Sequence, residues 1–326
     1  MKVFIVGGTG FLGYYSALEF ISQGYAVSTL SLPDVTLGDW FPKEIQVSYG
    51  NIFDMSVQEL ETLFKGYDIM VYAVGPDDRI LPDAPSFDFF YKRLVTYCGN
   101  VVNAAKNAGV KKCIVLGSYF AYFDRIWPEM NLASHHPYIK CRVEQTQQVI
   151  AAGGDSMAVM VLELPYIFGT MPERTPIWKD VLVDMLTNMK TIYFPKGGTN
   201  MITVQDVAKA IVGASENGTH GTRYPIGDVN MDFNNMLQIM LDEMHLNKTI
   251  INIPKFLAKL YGRILRRKHK KAGKESGLDP VWLMEDIMTK ELYYDAMIES
   301  MNDLKYTGSG IEVVKASIRE TIRACL

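Results

Sequence analysis

The 326-residue sequence has few cysteines, no long apolar run and no large excess of charge of one sign. Its four cysteines, Cys98, Cys113, Cys141 and Cys325, form no C-x-x-C pair and no metal-ligand spacing. We therefore expect free thiols in a reducing compartment, the cytoplasm, and no metal site. No stretch approaches the roughly 18 apolar residues of a membrane-spanning helix, and the first apolar run ends at Gly7, too soon for a secretory signal. A net charge of −3 argues against a general nucleic-acid-binding protein, whose affinity depends on neutralising phosphates.

Strand and helix patterns alternate through the first half of the chain. Short apolar runs, typical of strands buried on both faces, occupy residues 3–6, 26–30, 45–49, 69–73, 113–116 and 158–164. Helical patterns lie between them, at 14–23, 57–64, 89–108 and 138–151. Gly109 follows the third helix, where a left-handed C-cap is expected. This alternation predicts an α/β fold with a Rossmann-type, doubly wound parallel sheet.

The pattern loosens after about residue 165. A helix is predicted at 203–215 with Thr203 as its N-cap, a short strand at 221–226, and a mostly helical tail at 281–326. We expect a smaller, partly interleaved C-terminal substrate-binding region beside the dinucleotide-binding domain. The predicted division assigns 1–165 to the Rossmann domain, with 200–222 returning to it, and assigns 166–199 and 223–326 to the substrate-binding region.

Four glycines stand directly after the first strand and at the start of the first helix, and from Gly8 they satisfy G-x-G-x-x-G. Glycine is needed there because the backbone must turn tightly and approach a pyrophosphate, which the free N–H groups of the helix terminus then bind. The motif predicts that the pyrophosphate of NAD or NADP lies along Gly7, Gly10, Phe11, Leu12 and Gly13.

The end of the second strand bears on the choice of cofactor. An acidic residue that binds the ribose of NAD is usual there, but this chain has Ser31. No carboxylate repels a 2′-phosphate, and no Lys or Arg attracts one, so NADP is slightly favoured over NAD. Asp34 lies three residues further on and reaches the ribose only if the loop curls back.

Several motifs, taken in order, resemble those of the extended short-chain dehydrogenase/reductase family, which includes nucleotide-sugar epimerases, dehydratases, dihydroflavonol reductases and 3β-hydroxysteroid dehydrogenases. They are GGTGFLG at 7–13, GNI at 50–52, YDIMVYAVG at 67–75, VVNAAKNAGVKKCIVLGS at 101–118, LELPYIFG at 162–169, ITVQDVAKAI at 202–211 and GTRYPIGD at 221–228. The resemblance implies further cofactor contacts from Asn51, Ile52, Ala73, Val74, Gly75, Pro165 and Ile167.

The resemblance also implies a catalytic group. Ser118 matches the residue that polarises the substrate oxygen, and Tyr138 matches the tyrosine that exchanges a proton with it. The family's lysine, four residues after the tyrosine, holds the nicotinamide ribose and lowers the tyrosine pKa. Arg142 takes that position here, and it also keeps a positive charge on the right helix face, whereas Lys140 lies on a different face.

Two other positions depart from the family. Thr96 stands where many relatives have Asn beside the catalytic group, and Glu163 stands where Arg is common. Each predicted site residue also has a structural interpretation. Ser118 would be a strand-end hydroxyl bonded to backbone, Tyr138 a helix-start aromatic, and Arg142 the partner of Glu144 on the surface.

Two further features allow a functional and a structural interpretation. The segment 254–271 has apolar residues at helical spacing among basic ones, and 263–274 carries seven Lys or Arg and no acid. It fits an anionic membrane surface, but we favour a helix whose apolar face packs on the core. His135 and His136 lack metal-ligand partners and are predicted to line the pocket mouth.

The residues favour an NAD(P)-dependent oxidoreductase that transfers a hydride between nicotinamide and a secondary alcohol or ketone of a small or bulky, partly apolar substrate. One alternative is an NAD-dependent nucleotide-sugar epimerase or dehydratase, with a diphosphate bound by Arg174, Lys179, Lys196 and Arg223. Another is a dinucleotide-binding regulator or subunit with little or no catalysis, which the arginine at position 142 supports. The family resemblance implies a homodimer through 89–108 and 138–151.

Overall fold

The computed structural model describes residues 1–326 and is built around a seven-stranded sheet in which all neighbouring strands are parallel. From one edge to the other the strands are β10 (Arg223–Pro225), β6 (Ala158–Leu164), β5 (Lys112–Ser118), β4 (Ile69–Tyr72), β1 (Lys2–Val6), β2 (Ala26–Ser31) and β3 (Gln46–Tyr49). The chain winds outward from β1 in one direction and then from β4 in the other. The carboxyl ends of β1 and β4 therefore flank the crevice where doubly wound sheets bind ligands. The predicted Rossmann-type α/β fold is confirmed.

Helices cover both faces of this sheet. Those of the first half are α1 (Phe11–Ser22), α2 (Val57–Phe64), α3 (Ser86–Phe90), α4 (Tyr97–Asn107), α5 (Tyr119–Ile126), α6 (Leu132–His135) and α7 (Pro137–Gly153). A π-helical turn, Tyr91–Thr96, joins α3 to α4, and a 3₁₀ turn, Pro128–Met130, precedes α6.

The central strands bury side chains on both faces, as their unbroken apolar runs predict. In β1, Val3 and Ile5 pack with α1 and with the later helix α9 (Val204–Asn217), whereas Phe4 and Val6 pack with α2, α4 and α7. Each face of the sheet thus has its own hydrophobic core, and the two cores hold the strand ends in place.

The rest of the chain forms smaller sheets and peripheral helices. Strand β9 pairs with β7, β11 and β13, and β8 pairs with β12. The elements are β7 (Tyr166–Phe168), α8 (Asp184–Asn188), β8 (Ile192–Pro195), β9 (Gly198–Thr203), β11 (Val229–Asp232), α10 (Phe233–Glu243), β12 (Ile250–Ile253), α11 (Lys255–Lys271), α12 (Pro280–Trp282), β13 (Glu291–Leu292), α13 (Met297–Leu304) and α14 (Ile311–Arg323), with π-helical turns at Lys179–Val183 and Leu283–Met288.

Several local predictions agree with the structure. Thr203 caps α9 by accepting a hydrogen bond from the Asp206 backbone, and Gly109 has the left-handed φ of +92° expected after α4. The four cysteines are unpaired and buried. Residues Arg223–Pro225, which the sequence assigned to the substrate-binding region, instead form the seventh strand of the main sheet.

The amphipathic helix α11 departs from expectation. Phe256 is 70% exposed and Ile264 is 57% exposed, and only Ala258 and Gly262 of this helix are buried. The expectation that its apolar face packs on the core was wrong. The structure contains no helix with the length and apolar character needed to cross a bilayer.

Candidate active site

The glycine turn leads from β1 directly into α1. Gly7 has a φ of +91°, which favours glycine, and a Cβ at Gly13 would collide with the Gly7 carbonyl oxygen. The hydroxyl of Thr29, on β2, accepts a hydrogen bond from the Gly8 N–H at 2.9 Å and fixes the turn. No side chain caps α1, so its first N–H groups remain available to an anion.

A cleft of about 390 Å³ opens beside this turn, at the carboxyl ends of β1 to β4. Seven of the predicted cofactor residues line it: Gly7, Gly10, Asn51, Ile52, Ala73, Val74 and Gly75. The sequence analysis missed Arg93 and Arg174 as lining residues, together with Leu32 and Val35. No Asp or Glu lines the cleft. Arg93 is far from any motif in the chain, so no local signal identified it.

The remaining predicted cofactor residues, with Tyr138 and Arg142 among them, do not line this cleft. Phe11, Leu12 and Gly13 form the first turn of α1. Ser31 is buried, and its hydroxyl lies 3.3 Å from that of Thr9. Pro165 and Ile167 follow the carboxyl end of β6.

Tyr138 and Arg142 form a direct pair near the start of α7. Arg142 Nε donates to Tyr138 Oη at 2.9 Å, and Arg142 Nη1 donates to the Gln145 side chain at 2.9 Å and to the Leu116 carbonyl at 3.3 Å. The Leu116 contact ties α7 to the end of β5. Arg142 does not pair with Glu144, which lies near Lys140 instead. The surface ion pair considered for Arg142 is therefore not formed.

Tyr138 is only 3% exposed and lies in a cluster rich in aromatic residues. Its backbone N–H donates to the Gly277 carbonyl at 2.9 Å, so the segment that follows α11 packs against the start of α7. Burial raises the pKa of Tyr138, the positive charge of Arg142 lowers it, and the carboxylates of Asp78 and Asp77 add to the rise. The hydroxyl is consequently protonated at neutral pH in the free protein.

Ser118 ends β5 and caps α5, where its hydroxyl accepts from the Phe120 backbone at 3.4 Å. It makes no hydrogen bond with Tyr138. In the free protein Ser118 is therefore a strand-end hydroxyl bonded to backbone, which was its structural interpretation. It lies two residues after Leu116, whose carbonyl accepts a hydrogen bond from Arg142.

The two departures from the family have different outcomes. Glu163 is fully buried and forms a bidentate ion pair with Arg125, at 2.9 and 3.0 Å. An acidic residue is accommodated at this position because α5 supplies its cation. Thr96 is exposed at the end of the π-helical turn and makes no hydrogen bond with Ser118, Tyr138 or Arg142.

The loop after β4 brings charge to the site that the sequence analysis did not identify. Arg79 donates to the Asp77 carboxylate at 2.6 and 3.1 Å. Asp78 is half-buried, and burial raises the pKa of its carboxyl. Burial and, to a smaller extent, the charge of Asp78 raise the pKa of Tyr166 to about 12. The sequence feature that could have identified these charges is D-D-R at 77–79, directly after the A-V-G-P turn at 73–76.

The two histidines do not lie together at a pocket mouth. His136 is completely buried, and its Nδ1 accepts from the Asp279 backbone at 3.0 Å. Burial lowers the pKa of His136 to about 3. His135 bonds to Asp286 at 2.8 Å and stacks on Trp282.

The residues proposed for a sugar-nucleotide diphosphate are dispersed. Arg174 lines the cofactor cleft, Lys179 donates to the Cys325 carbonyl at 3.0 Å, and Arg223 lies in β10 of the main sheet. Lys196 lines a separate surface pocket with Lys255 and Lys290.

A doubly wound sheet with a glycine turn and a Tyr-x-x-x-Arg pair defines a dinucleotide-binding protein of the short-chain dehydrogenase type. The sequence model of the NAD dependent epimerase/dehydratase family matches residues 3–227, and the chain belongs to this family. The resemblance found from the motifs is confirmed.

Individual relatives extend this comparison. The human sterol-4-alpha-carboxylate 3-dehydrogenase, decarboxylating, is 25% identical over 221 residues, which cover 64% of this chain and 55% of the human protein. The chain thus spans about half the length of this curated relative. The crystal structure of gox2253 aligns with a TM-score of 0.79 at 17% identity, covering 99% of this chain and 97% of that one. A nucleoside-diphosphate-sugar epimerase from Pseudomonas aeruginosa aligns with a TM-score of 0.74 at 13% identity, again covering 99% and 97%. These structural likenesses show the shared fold.

Proposed function

We propose that the protein is an NAD(P)-dependent oxidoreductase that acts on a secondary alcohol or ketone of a bulky, partly apolar substrate. The observation that carries the proposal is the 2.9 Å hydrogen bond between Arg142 Nε and Tyr138 Oη beside the end of β5. It joins a proton-exchanging hydroxyl to a permanent cation in a chain that also has the dinucleotide glycine turn.

The residues fit a dinucleotide. The start of α1 packs directly on the glycine turn, because a Cβ at Gly13 would collide with the Gly7 carbonyl oxygen, and the uncapped helix start offers N–H donors to a pyrophosphate. Arg142 uses Nε and Nη1 within the protein and leaves Nη2 without a partner, as expected of a group that holds ribose hydroxyls. The nicotinamide supplies or accepts the hydride when bound.

Tyr138 then serves as the general acid or base. Its buried hydroxyl is protonated at neutral pH, so it can give a proton to the oxygen of a ketone. In the reverse direction the tyrosinate, formed when Tyr138 loses its proton, accepts the proton of an alcohol. Arg142 favours the tyrosinate that this exchange creates. We assign Ser118 to binding the substrate oxygen once its weak backbone contact is replaced.

The apolar cluster that surrounds Tyr138 supports a partly apolar substrate. Phe90, Tyr119, Phe123 and Tyr294 belong to the same cluster as Tyr138. The human relative is named for a sterol carboxylate, and a bulky, partly apolar substrate of that kind suits aromatic surroundings.

We infer a preference for NADP over NAD from the charges that line the cleft. Arg93 and Arg174 line it without any Asp or Glu, so a 2′-phosphate meets positive charge only. We expect Arg174→Ala to weaken NADPH binding about tenfold while changing NADH binding little. Ser31→Asp is expected to reverse the preference, measured by calorimetry. Equal effects of Arg174→Ala on both cofactors would contradict this assignment.

The deciding experiment compares Tyr138→Phe with the wild type in cofactor binding and in turnover of a panel of secondary alcohols and ketones. We expect turnover to fall by about 10²–10⁴-fold with cofactor affinity unchanged. Tyr91→Phe, at a residue 38% exposed, is the matched control. Unchanged turnover in Tyr138→Phe would remove the catalytic assignment, and tight cofactor binding without turnover of any substrate would favour a dinucleotide-binding regulator.

A further inference from the structure

Helix α11 presents a stripe of large apolar side chains to solvent. Phe256, Leu257, Leu260, Tyr261 and Ile264 are between 41% and 70% exposed. Their spacing of one, three and four residues places them on a single helix face. Isolated exposed apolar residues are common in proteins, but a contiguous stripe of five marks a surface that binds something.

This orientation is imposed by the packing of the opposite face. Ala258 and Gly262 are the buried residues of α11, and a Cβ at Gly262 would collide with the Pro280 carbonyl oxygen. The helix therefore lies directly against α12 through its small residues. Turning the helix to bury the large side chains would force them into a contact that has room only for alanine and glycine.

Ion pairs hold the helix in the same orientation. Lys255 and Lys259 both pair with Glu285, and Arg266 pairs with Asp279. These contacts come from the side that faces α12 and the following π-helical turn, and they leave the apolar stripe free.

The stripe is flanked by positive charge. Nine Lys or Arg and no acid occur in 255–274. Five of these cations have no carboxylate partner: Arg263, Arg267, Lys268, Lys270 and Lys271. The surface thus combines an apolar stripe with unpaired cations. A binding partner must therefore present both apolar groups and negative charge.

These charges argue against a second copy of the chain as the occupant. In a two-fold dimer the same patch meets itself, so two cationic faces would be brought together. A nucleic acid would satisfy the cations but leave the apolar stripe in water. An anionic lipid surface satisfies both, because acyl chains accept the apolar face and headgroups attract the cations.

We propose that α11 docks the protein on an anionic membrane surface, with the helix axis in the plane of the membrane and the apolar stripe between the headgroups. The proposal depends on neither the cofactor nor catalysis. It also places the active site beside the membrane, because six residues after α11 the Gly277 carbonyl accepts from the Tyr138 backbone.

The test is co-flotation of the full chain with vesicles of phosphatidylcholine alone or mixed with phosphatidylserine. We expect binding to the mixed vesicles only, strong at about 0.1 M salt and largely lost at about 1 M. The Leu260→Glu/Ile264→Glu variant should lose at least about tenfold in binding. Its matched control, Ile298→Glu/Val313→Glu, changes residues 54% and 48% exposed on α13 and α14 and should bind as the wild type does.

A second pair of variants tests the charges. Arg263→Gln/Arg267→Gln/Lys271→Gln should weaken binding at least about tenfold. Lys43→Gln/Lys65→Gln/Lys111→Gln removes the same number of exposed cations elsewhere and should have little effect. Thermal melting by circular dichroism verifies that each variant is folded.

Three outcomes would overturn the proposal. One is a wild type that does not float with anionic vesicles at low salt. Another is a loss of binding in the control variants as large as in the α11 variants. The third is a lipid-free dimer, seen by sedimentation, that Leu260→Glu dissociates, since the stripe would then be a contact between two copies.

Discussion

Arg142 fixes the position of its guanidinium by hydrogen bonds to Tyr138, Leu116 and Gln145. A lysine ammonium would be a mobile point charge at the same place, whereas the planar fork is held on three sides. The cost of this arrangement is that Arg142 cannot exchange protons. In the proposed mechanism its effect on proton transfer is therefore electrostatic, through the pKa of Tyr138.

This predicts a shift in pH dependence when the charge is removed. In the proposed alcohol oxidation Tyr138 must lose its proton, so the rate is expected to rise with pH through the tyrosine pKa. Because Arg142 lowers that pKa, Arg142→Gln should move the inflection to higher pH and reduce kcat near pH 7 by about 10²-fold. Arg142→Lys, which keeps the positive charge, should have a smaller effect than Arg142→Gln on both the inflection and kcat.

The control is Lys140→Gln, which removes a charge from the same helix at a side chain 51% exposed. Its pH profile should match that of the wild type. An Arg142→Gln profile with an unmoved inflection would show that Arg142 acts only by holding the fold or the cofactor.

His136 gives a second prediction at the residue scale, concerning stability. Its pKa is about 3 in the folded protein and near 6.5 when unfolded, so the unfolded chain binds the proton more tightly. The free energy of unfolding should therefore fall as the pH decreases from about 6.5 towards 3, by up to about 1.4 kcal/mol per pH unit.

His136→Asn keeps an acceptor for the Asp279 N–H and should flatten this part of the pH dependence, measured by urea denaturation at several pH values. His245→Asn, at an exposed turn, is the control and should leave the slope unchanged. A slope in His136→Asn equal to the wild-type slope would assign the titration to another group.

At the element scale, the pair of Arg125 and Glu163 joins α5 to the main sheet. The Glu163 side chain is fully buried, whereas that of Arg125 is 37% exposed. Removing the arginine leaves a buried carboxylate without a partner, but removing the glutamate charge leaves an arginine that water still reaches.

We therefore expect Arg125→Ala to reduce the free energy of unfolding by about 3 kcal/mol or more, and Glu163→Gln by only about 1 kcal/mol. Urea denaturation measures both. Lys140→Ala, which removes an exposed pair at 4.0 Å, should cost less than about 0.5 kcal/mol. Equal costs for Arg125→Ala and Glu163→Gln would contradict the burial argument.

At the scale of the whole molecule, the two parts of the chain share a core. Leu304 and Tyr306 from the C-terminal region pack in the same cluster as Val3, Ile5 and Ala17. Helix α9 returns to the sheet beside α1 and links them further. The C-terminal region is thus not an appendage that unfolds alone.

This predicts a single cooperative unfolding transition. Tryptophan fluorescence reports on both parts, since Trp40 packs beside α1 and Trp282 lies in α12. The unfolding midpoint in urea measured by fluorescence should coincide with the midpoint measured by far-ultraviolet circular dichroism. Saturating NADPH should raise both midpoints by the same amount. Two separated midpoints would show that the parts are independent.

The homodimer and the cytoplasmic location stay predictions.

Much of the fold followed from the sequence because its determinants are local. The apolar runs of β1 and β6, the glycine turn at 7–13 and the Thr203 cap each depend on residues close in the chain. The pairing of Tyr138 with Arg142 was accessible for the same reason, since a four-residue spacing places both on one helix face.

Only the tertiary structure decided which faces and charges met. Periodicity established that α11 has an apolar face, but the small residues Ala258 and Gly262 are the ones that fit against α12, so the large residues point outward. Likewise Glu163 pairs with Arg125, which lies 38 residues earlier in the chain. Arg93, in the π-helical turn Tyr91–Thr96, lines the cleft beside the glycine turn. Contacts of this kind depend on how the elements pack, because sequence spacing specifies a side chain's direction from its own backbone and not what lies opposite it.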